Sequence, residues 1–152
     1  MANTWITSDT HYGHARILDF CADTRPWKSV QEMNEALLDN WNETVKTGDT
    51  VYHLGDLSFM KREETEKILQ KLNGQIFLVY GNHCHSLREG WAKAYFAHRA
   101  DVIEHKLCGE KVVMCHFPMA RWNRCHYGSL HFFGHEHGNF YNGGRSMDVG
   151  WE

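Results

Sequence analysis

The sequence predicts an α/β protein, built on a mixed sheet or on two packed sheets flanked by helices. Three observations carry this. Strand and helix signals alternate through the first half of the chain, strand follows strand in the second half, and Ile76 to Tyr80 is a continuous apolar run. Such a run marks a strand buried on both faces, as in the layered sheets of α/β proteins.

Thr4 to Ser8 reads as the first strand. Ser29-Val30-Gln31-Glu32 is a capping box, and Val30, Met33, Leu37, Trp41 and Val45 follow at helical spacing. Thr50 to Leu54 is a short strand. Lys61 to Leu72 is a charged amphipathic helix, closed by Asn73-Gly74. After the apolar strand, Leu87 to Ala97 carries a weaker helical pattern. Val102 to Leu107 and Lys111 to Cys115 form two strands joined at Gly109-Glu110. Phe117 to Ser129 is a loop rich in Arg, Asn and aromatics. Leu130 to Phe133 is a further strand, and Asn142-Gly143-Gly144 turns into the last one around Ser146 to Val149.

No Pro/Ser-rich linker, low-complexity tract or repeat interrupts the 152 residues, so one domain over 1–152 is expected. A net charge of −3 supplies no global positive field, and stable binding to nucleic acid or an anionic membrane surface is not expected. No apolar stretch approaches the roughly 20 residues that span a bilayer. Five Cys without a CxxC pair read as free thiols in a reducing cytoplasm. The 12 His are the compositional outlier and need a role.

That role follows from where they stand. Asp9-Thr10-His11 offers a carboxylate and an imidazole to one ion; Gly55-Asp56 places a carboxylate just past a strand. Gly81-Asn82-His83 adds an amide oxygen, a hard neutral ligand, beside an imidazole able to donate a proton. His116 and Gly134-His135-Glu136-His137 complete the series. Each piece alone has an ordinary reading as a cap or a turn. Together they decide the matter, because every one lies just past an apolar run. Strands that carry their polar residues at one end point them into one crevice. Imidazole, carboxylate and amide oxygen are the ligand set for divalent metals.

In this combination the chain resembles the calcineurin-like metallophosphoesterases, whose pattern is D-x-H, G-D, G-N-H, a lone His and G-H-x-H, here in order from Asp9 to His137. The stretches Ser8 to His14 and His116 to His137 look most like the small bacterial and phage members. The larger Ser/Thr protein phosphatases are less similar, since G-D-x-x-D-R-G is missing after Gly55-Asp56. The resemblance implies a four-layer sandwich (α/β/β/α) of two mixed sheets flanked by helices, with a dinuclear metal centre at the strand ends. It implies hydrolysis of a phosphoester or nucleotide by a hydroxide bridging two ions. One ion would take Asp9, His11, Asp56 and His137; the other would take Asp56, Asn82, His116 and His135, with Asp56 shared. Mn²⁺ is the first choice of metal, with Fe, Zn²⁺, Co²⁺ or Ni²⁺ as alternatives. His83 matches the position that contacts the phosphate and protonates the leaving group, and Asn82 also faces substrate.

Two departures stand out. Members usually carry an acid after G-N-H, which steadies that His; here the residue is Cys84, expected to be a packed thiol. Members also commonly run on beyond the last strand, whereas this sequence stops at Glu152. The loop between the last two ligand segments is expected to line the crevice, with Arg121 and Arg124 clamping phosphate, Trp122 stacking on a base and His126 beside them. His14 and His53 are assigned to support or packing. A metal-dependent nuclease is the alternative activity, and a non-catalytic scaffold of the same fold is the reading outside catalysis.

Overall fold

The computed structural model describes residues 1–141 and 143–152; the expected turn at Asn142 therefore lies partly outside the described residues. The next two residues, Gly143 and Gly144, have φ of 73° and 61°, the left-handed backbone that suits glycine.

The first sheet is β1 (Thr4–Thr7), β2 (Thr50–His53), β3 (Gln75–Val79) and β4 (His98–Ala100), in that spatial order. All its pairs are parallel, with Thr4 opposite Thr50, Thr50 opposite Gln75 and Phe77 opposite His98. The second sheet is β5 (Val102–Leu107), β6 (Glu110–Cys115), β7 (Leu130–Phe133) and β8 (Ser146–Asp148). It is the mixed one: β5 and β6 form an antiparallel hairpin, and β7 and β8 add in parallel.

Helices cover the outer face of the first sheet. They are α1 (Ile17–Phe20), α2 (Val30–Thr44) and α3 (Arg62–Leu69). Ser29 caps α2 by accepting the Glu32 N–H, the first half of the capping box, while the Glu32 carboxylate reaches one residue further back and accepts the Lys28 N–H. Met33, Leu37 and Trp41 then fall on one face and bury against Val51, Ile76 and Leu78. The strands obey the period of two. Tyr52, Leu54 and Val79 point the other way and meet Ile103, Val112 and Met114 of the second sheet, making the core between sheets.

The outer face of the second sheet carries buried Val113, His131 and Phe133. Among the described residues no α-helix covers it. The expected loop does so instead, with help from the β7–β8 connection: the Met119 N–H donates to His131 Nε2 (3.0 Å), Trp122 stacks on the His131 ring (5.1 Å), and Phe140 of that connection packs on Phe133. A short 3-10 turn at Cys125–Tyr127 lies within that loop.

One expectation needs correction, and two short elements add to those foreseen. Residues 87–97 do not form an α-helix but two 3-10 turns, Ser86–Arg88 and Gly90–Tyr95, because Glu89 between them is extended (φ −67°, ψ 162°). The strand β4 was not foreseen: its sequence, His-Arg-Ala, has no apolar alternation to reveal it. The helix α1, four residues long, is likewise too short to show a helical period in the sequence. No helix among the described residues is long and apolar enough to cross a membrane.

Candidate metal centre

Each motif leaves the sheet at a strand's carboxyl end. Asp9 and His11 follow β1, Asp56 follows β2, Asn82 and His83 follow β3, His116 follows β6, and His135 and His137 follow β7. The two sheets present these ends to the same side, and an isolated parallel bridge from Ser8 to Gly150 stitches them together there.

The backbone at the ends is unusual. Asp9, His11, Asp56, His135 and His137 all have φ between 49° and 72°. Left-handed backbone is uncommon for residues other than glycine and gathers at functional sites. The motif glycines have a steric reason. A Cβ on Gly81 would sit 2.1 Å from Asp56 Oδ1, and one on Gly134 would sit 2.3 Å from Asp9 Oδ2 and 2.0 Å from Ser8 Oγ. Chain must pass that close to each carboxylate, because the His83 N–H donates to Asp56 Oδ1 (2.9 Å) and the His135 N–H to Asp9 Oδ2 (2.8 Å).

With one oxygen of each carboxylate so occupied, the other faces the crevice. His11 Nε2 lies 3.5 Å from Asp9 Oδ1 and 4.0 Å from Asp56 Oδ2; His116 Nε2 lies 3.6 Å from Asp56 Oδ2. Asp9, His11 and His137 form one set of groups able to hold a metal ion, and Asp9, Asp56 and His116 form a second. Asn82 joins the second through Oδ1, 2.9 Å from His116 Nε2. The His135 ring is outside both sets but lines the same cavity and stands 5.1 Å from the His116 ring.

Two observations show that these residues fit a cation. Asp9 Oδ1 and His11 Nε2 are buried without a hydrogen-bond partner, a costly arrangement for polar atoms that nothing else satisfies. His116 Nδ1–H donates to Leu54 O (2.7 Å), which leaves the Nε2 lone pair facing the oxygens of Asn82 and Asp56. Acceptors facing acceptors need a positive charge between them.

Supporting groups hold the ligands. His14 Nδ1 shares a 2.9 Å hydrogen bond with His11 Nδ1, which turns His11 Nε2 toward the crevice. Burial first, then the neighbouring cationic groups, pushes His14 down to about 4, so it is neutral. His53 lies fully buried beneath, accepting the Gly55 N–H at Nδ1 and bonding Thr10 Oγ1 through Nε2. Burial tends to raise Asp9, but His11, His116 and the bonds from Ser8 and His135 prevail and hold it at about 2. The centre is therefore anionic and ready for cations.

Several contributors had no signal in the sequence. Phe59 sits at the middle of three imidazoles, 4.8 Å from His11, 4.1 Å from His14 and 4.6 Å from His83. Its ring packs against His83, in a chain that carries Cys84 where an acid would follow G-N-H. Cys84 is a buried thiol, as expected, with Sγ 3.3 Å from the Asp56 N–H; burial pushes the thiol up. Arg25 is fully buried, and its guanidinium donates to the carbonyls of Asp9 (2.6 Å) and Thr10 (3.1 Å) and to Glu152. The second Glu152 oxygen lies 3.0 Å from His137 Nδ1. Cys21 converges on the same pair as a further candidate ligand.

The expected substrate loop stands elsewhere. Arg121, Trp122, Arg124 and His126 are not among the residues lining the ligand crevice. Trp122 anchors the loop to His131 and donates to Ser129 O, Arg124 lies over Tyr127, and His126 packs on Tyr127. The loop was drawn to the buried face of the second sheet, which would otherwise lack cover.

The sequence profile of the calcineurin-like phosphoesterase superfamily domain matches residues 3–144. An uncharacterized protein of Methanocaldococcus jannaschii is 36% identical over 141 residues, covering 91% of this chain and 72% of that protein. The gene 66 protein of Mycobacterium phage L5 is 35% identical over 88 residues, covering 55% of this chain and 40% of the phage protein. Among solved structures, a protein of unknown function from Aquifex aeolicus superposes with a TM-score of 0.69 at 22% identity, covering 97% of this chain and 89% of that one. A novel archaeal phosphodiesterase superposes with a TM-score of 0.55 at 19% identity, covering 97% and 81%. At these identities the structural likeness is one of fold.

Proposed function

The chain belongs to the calcineurin-like phosphoesterase superfamily, and from that premise we propose that it hydrolyses phosphoesters with two divalent ions held at the strand ends. The observation that carries the proposal is the convergence of metal-ligating groups at one edge: Asp9 Oδ1 and His11 Nε2, buried without a hydrogen-bond partner, on one side, and His116 Nε2 with Asn82 Oδ1, 2.9 Å apart, on the other.

Asp9, His11, Asp56 and His137 would hold one ion, and Asp56, Asn82, His116 and His135 the other, with Mn²⁺ suited to this mixed oxygen and nitrogen set. Bound ions supply ionised water at neutral pH, lowering its pKa to about 7, and offset the charge of the phosphate. Asp56 would be shared between the two ions, and Asp9, common to the His11–His137 and Asp56–His116 clusters found in the fold, would lie beside it. His83 is exposed at the mouth of the crevice, with its N–H on Asp56 and its ring against Phe59. It is placed to give a proton to the departing alcohol. Asn82, exposed beside it, orients the phosphate.

The test is an activity panel with Mn²⁺ against an aryl phosphomonoester and an aryl phosphodiester. Asp56→Ala and Asn82→Ala should abolish turnover of the preferred ester while the protein stays folded. Full turnover by a protein stripped of metal would defeat the proposal.

A further inference from the structure

Beside the ligand crevice lies a second cavity of about 380 Å³ that shares Asn82 with it. It opens where β3 and β6 end and β5 begins, between the two sheets: Tyr80 and Gly81 bound it on one side, and Val102, Cys115 and Phe117 on the other. Its volume falls within the roughly 300–1,000 Å³ of small-molecule sites.

The walls define what fits. Phe117 is 45% exposed, and its ring stands edge-on to His116 (5.0 Å) and His135 (4.7 Å). A flat apolar surface is thus held open immediately beside two candidate ligands. Opposite it, the Arg88 guanidinium lies 4.1 Å over the Tyr80 ring and donates to Asp101 Oδ1 (2.5 Å). That pair is exposed to solvent, and His85 lines the cavity beside it. The remaining guanidinium N–H groups and carboxylate lone pairs stay exposed at the rim, offering a donor and an acceptor side by side. Planar apolar faces with a mixed polar edge match a nucleobase, which stacks on aromatics and presents both hydrogen-bond types along its edge.

We infer that this cavity is a base subsite, and that the phosphoester hydrolysed at the adjoining centre is a nucleotide whose base lies between Phe117 and the Tyr80–Arg88 stack. The inference rests on the phosphoesterase reading above and narrows it to a substrate class. Asn82, on the boundary, would hold the phosphate end of the same molecule.

Calorimetric titration of the Mn²⁺-loaded protein tests it, with nucleoside 5′-monophosphates, phenyl phosphate and inorganic phosphate as ligands. At least one nucleoside monophosphate should bind tenfold or more tightly than inorganic phosphate, the order of effect that one base–aromatic stack supplies. It should also exceed phenyl phosphate. Phe117→Ala, and separately Val102→Trp, which fills the cavity, should each bring the ratio of nucleotide to phosphate affinity close to one. Circular dichroism and metal content verify that both variants are folded and loaded. Equal affinity for nucleotide and phosphate in the wild type, or a ratio that both variants leave untouched, overturns the subsite while the phosphoesterase reading stands. Phenyl phosphate binding as tightly as every nucleotide overturns the base assignment. Failure of the loaded wild type to bind phosphate at all removes both readings.

Discussion

Arg25 and Glu152, 127 positions apart in the chain, meet through a 2.8 Å bond from Nε to Oε1, with both side chains shut off from solvent. The pair closes a circuit: Arg25 holds the carbonyls of Asp9 and Thr10, and Glu152 approaches His137. Two ligand segments from opposite ends of the sequence are thereby referenced to one guanidinium. Removing one partner of a buried pair leaves an uncompensated charge, which costs about 3–5 kcal/mol. Arg25→Met should lose that much in urea denaturation, and the double variant Arg25→Met/Glu152→Gln should lose less. A double variant as unstable as the single one would show that the charge balance is not what matters.

Glu152→Gln alone tests the hold on His137. Carboxylates behind a metal-bound imidazole are worth about 10–100-fold in metal affinity. The variant should retain one ion and release the other at a correspondingly lower chelator concentration. Metal content against chelator, read by mass spectrometry, checks this without any activity measurement.

Gly134→Ala should damage the centre although it adds only a methyl group. That methyl would fall 2.0 Å from Ser8 Oγ and 2.3 Å from Asp9 Oδ2. Forcing atoms into a packed site costs about 1–3 kcal/mol, and here the displaced group is a ligand. Thermal melting should fall, and bound metal with it. Gly90→Ala, at a position where a Cβ meets nothing within 4 Å, is the control and should do neither.

His83→Gln should lower kcat about 10²–10⁴-fold, the range for loss of a general acid. Phe59→Leu removes the ring packed against His83, and against His11 and His14, and a loss of about tenfold is expected for it. The discriminating readout is the leaving group: an activated nitrophenolate needs no proton, so both variants should act on it much more nearly like the wild type than on an alkyl ester.

His53 sets an acid limit on the fold. Burial pushes it down to about 3, so the folded chain keeps it neutral where the unfolded chain protonates it near 6.5. A histidine depressed in this way contributes fully above pH 6.5, and stability falls as pH drops toward 3, by about 1.4 kcal/mol per pH unit for one proton. Urea midpoints should fall from pH 7 to pH 4, with His14 adding to the loss, and His53→Gln should remove one proton's share of that slope.

Much of the centre was legible because its chemistry is local in sequence. Asp9 and His11, Gly81 and Asn82, and His135 and His137 each sit within a short segment after an apolar run, and the structure collects them at one sheet edge. Arg25, Phe59 and Glu152 were not legible. Their work depends on contacts between distant segments, and nothing near Arg25-Pro26 announces that a guanidinium will be buried. The loop from Arg121 to His126 failed for the converse reason. Its composition suits phosphate and base, but the buried outer face of the second sheet claims Trp122 through His131. Strand β4 was too short to show a period.

The isolated bridge between Ser8 and Gly150 joins the sheets at the rim where the ligands emerge. One sheet is built from residues up to 100 and the other from 102 onward, so ions held between Asp9, Asp56, His116 and His137 would act as rivets across a seam between the two halves of the chain. Loading the centre would then decide whether those halves come apart together or one after the other, and the empty protein should open along that seam first.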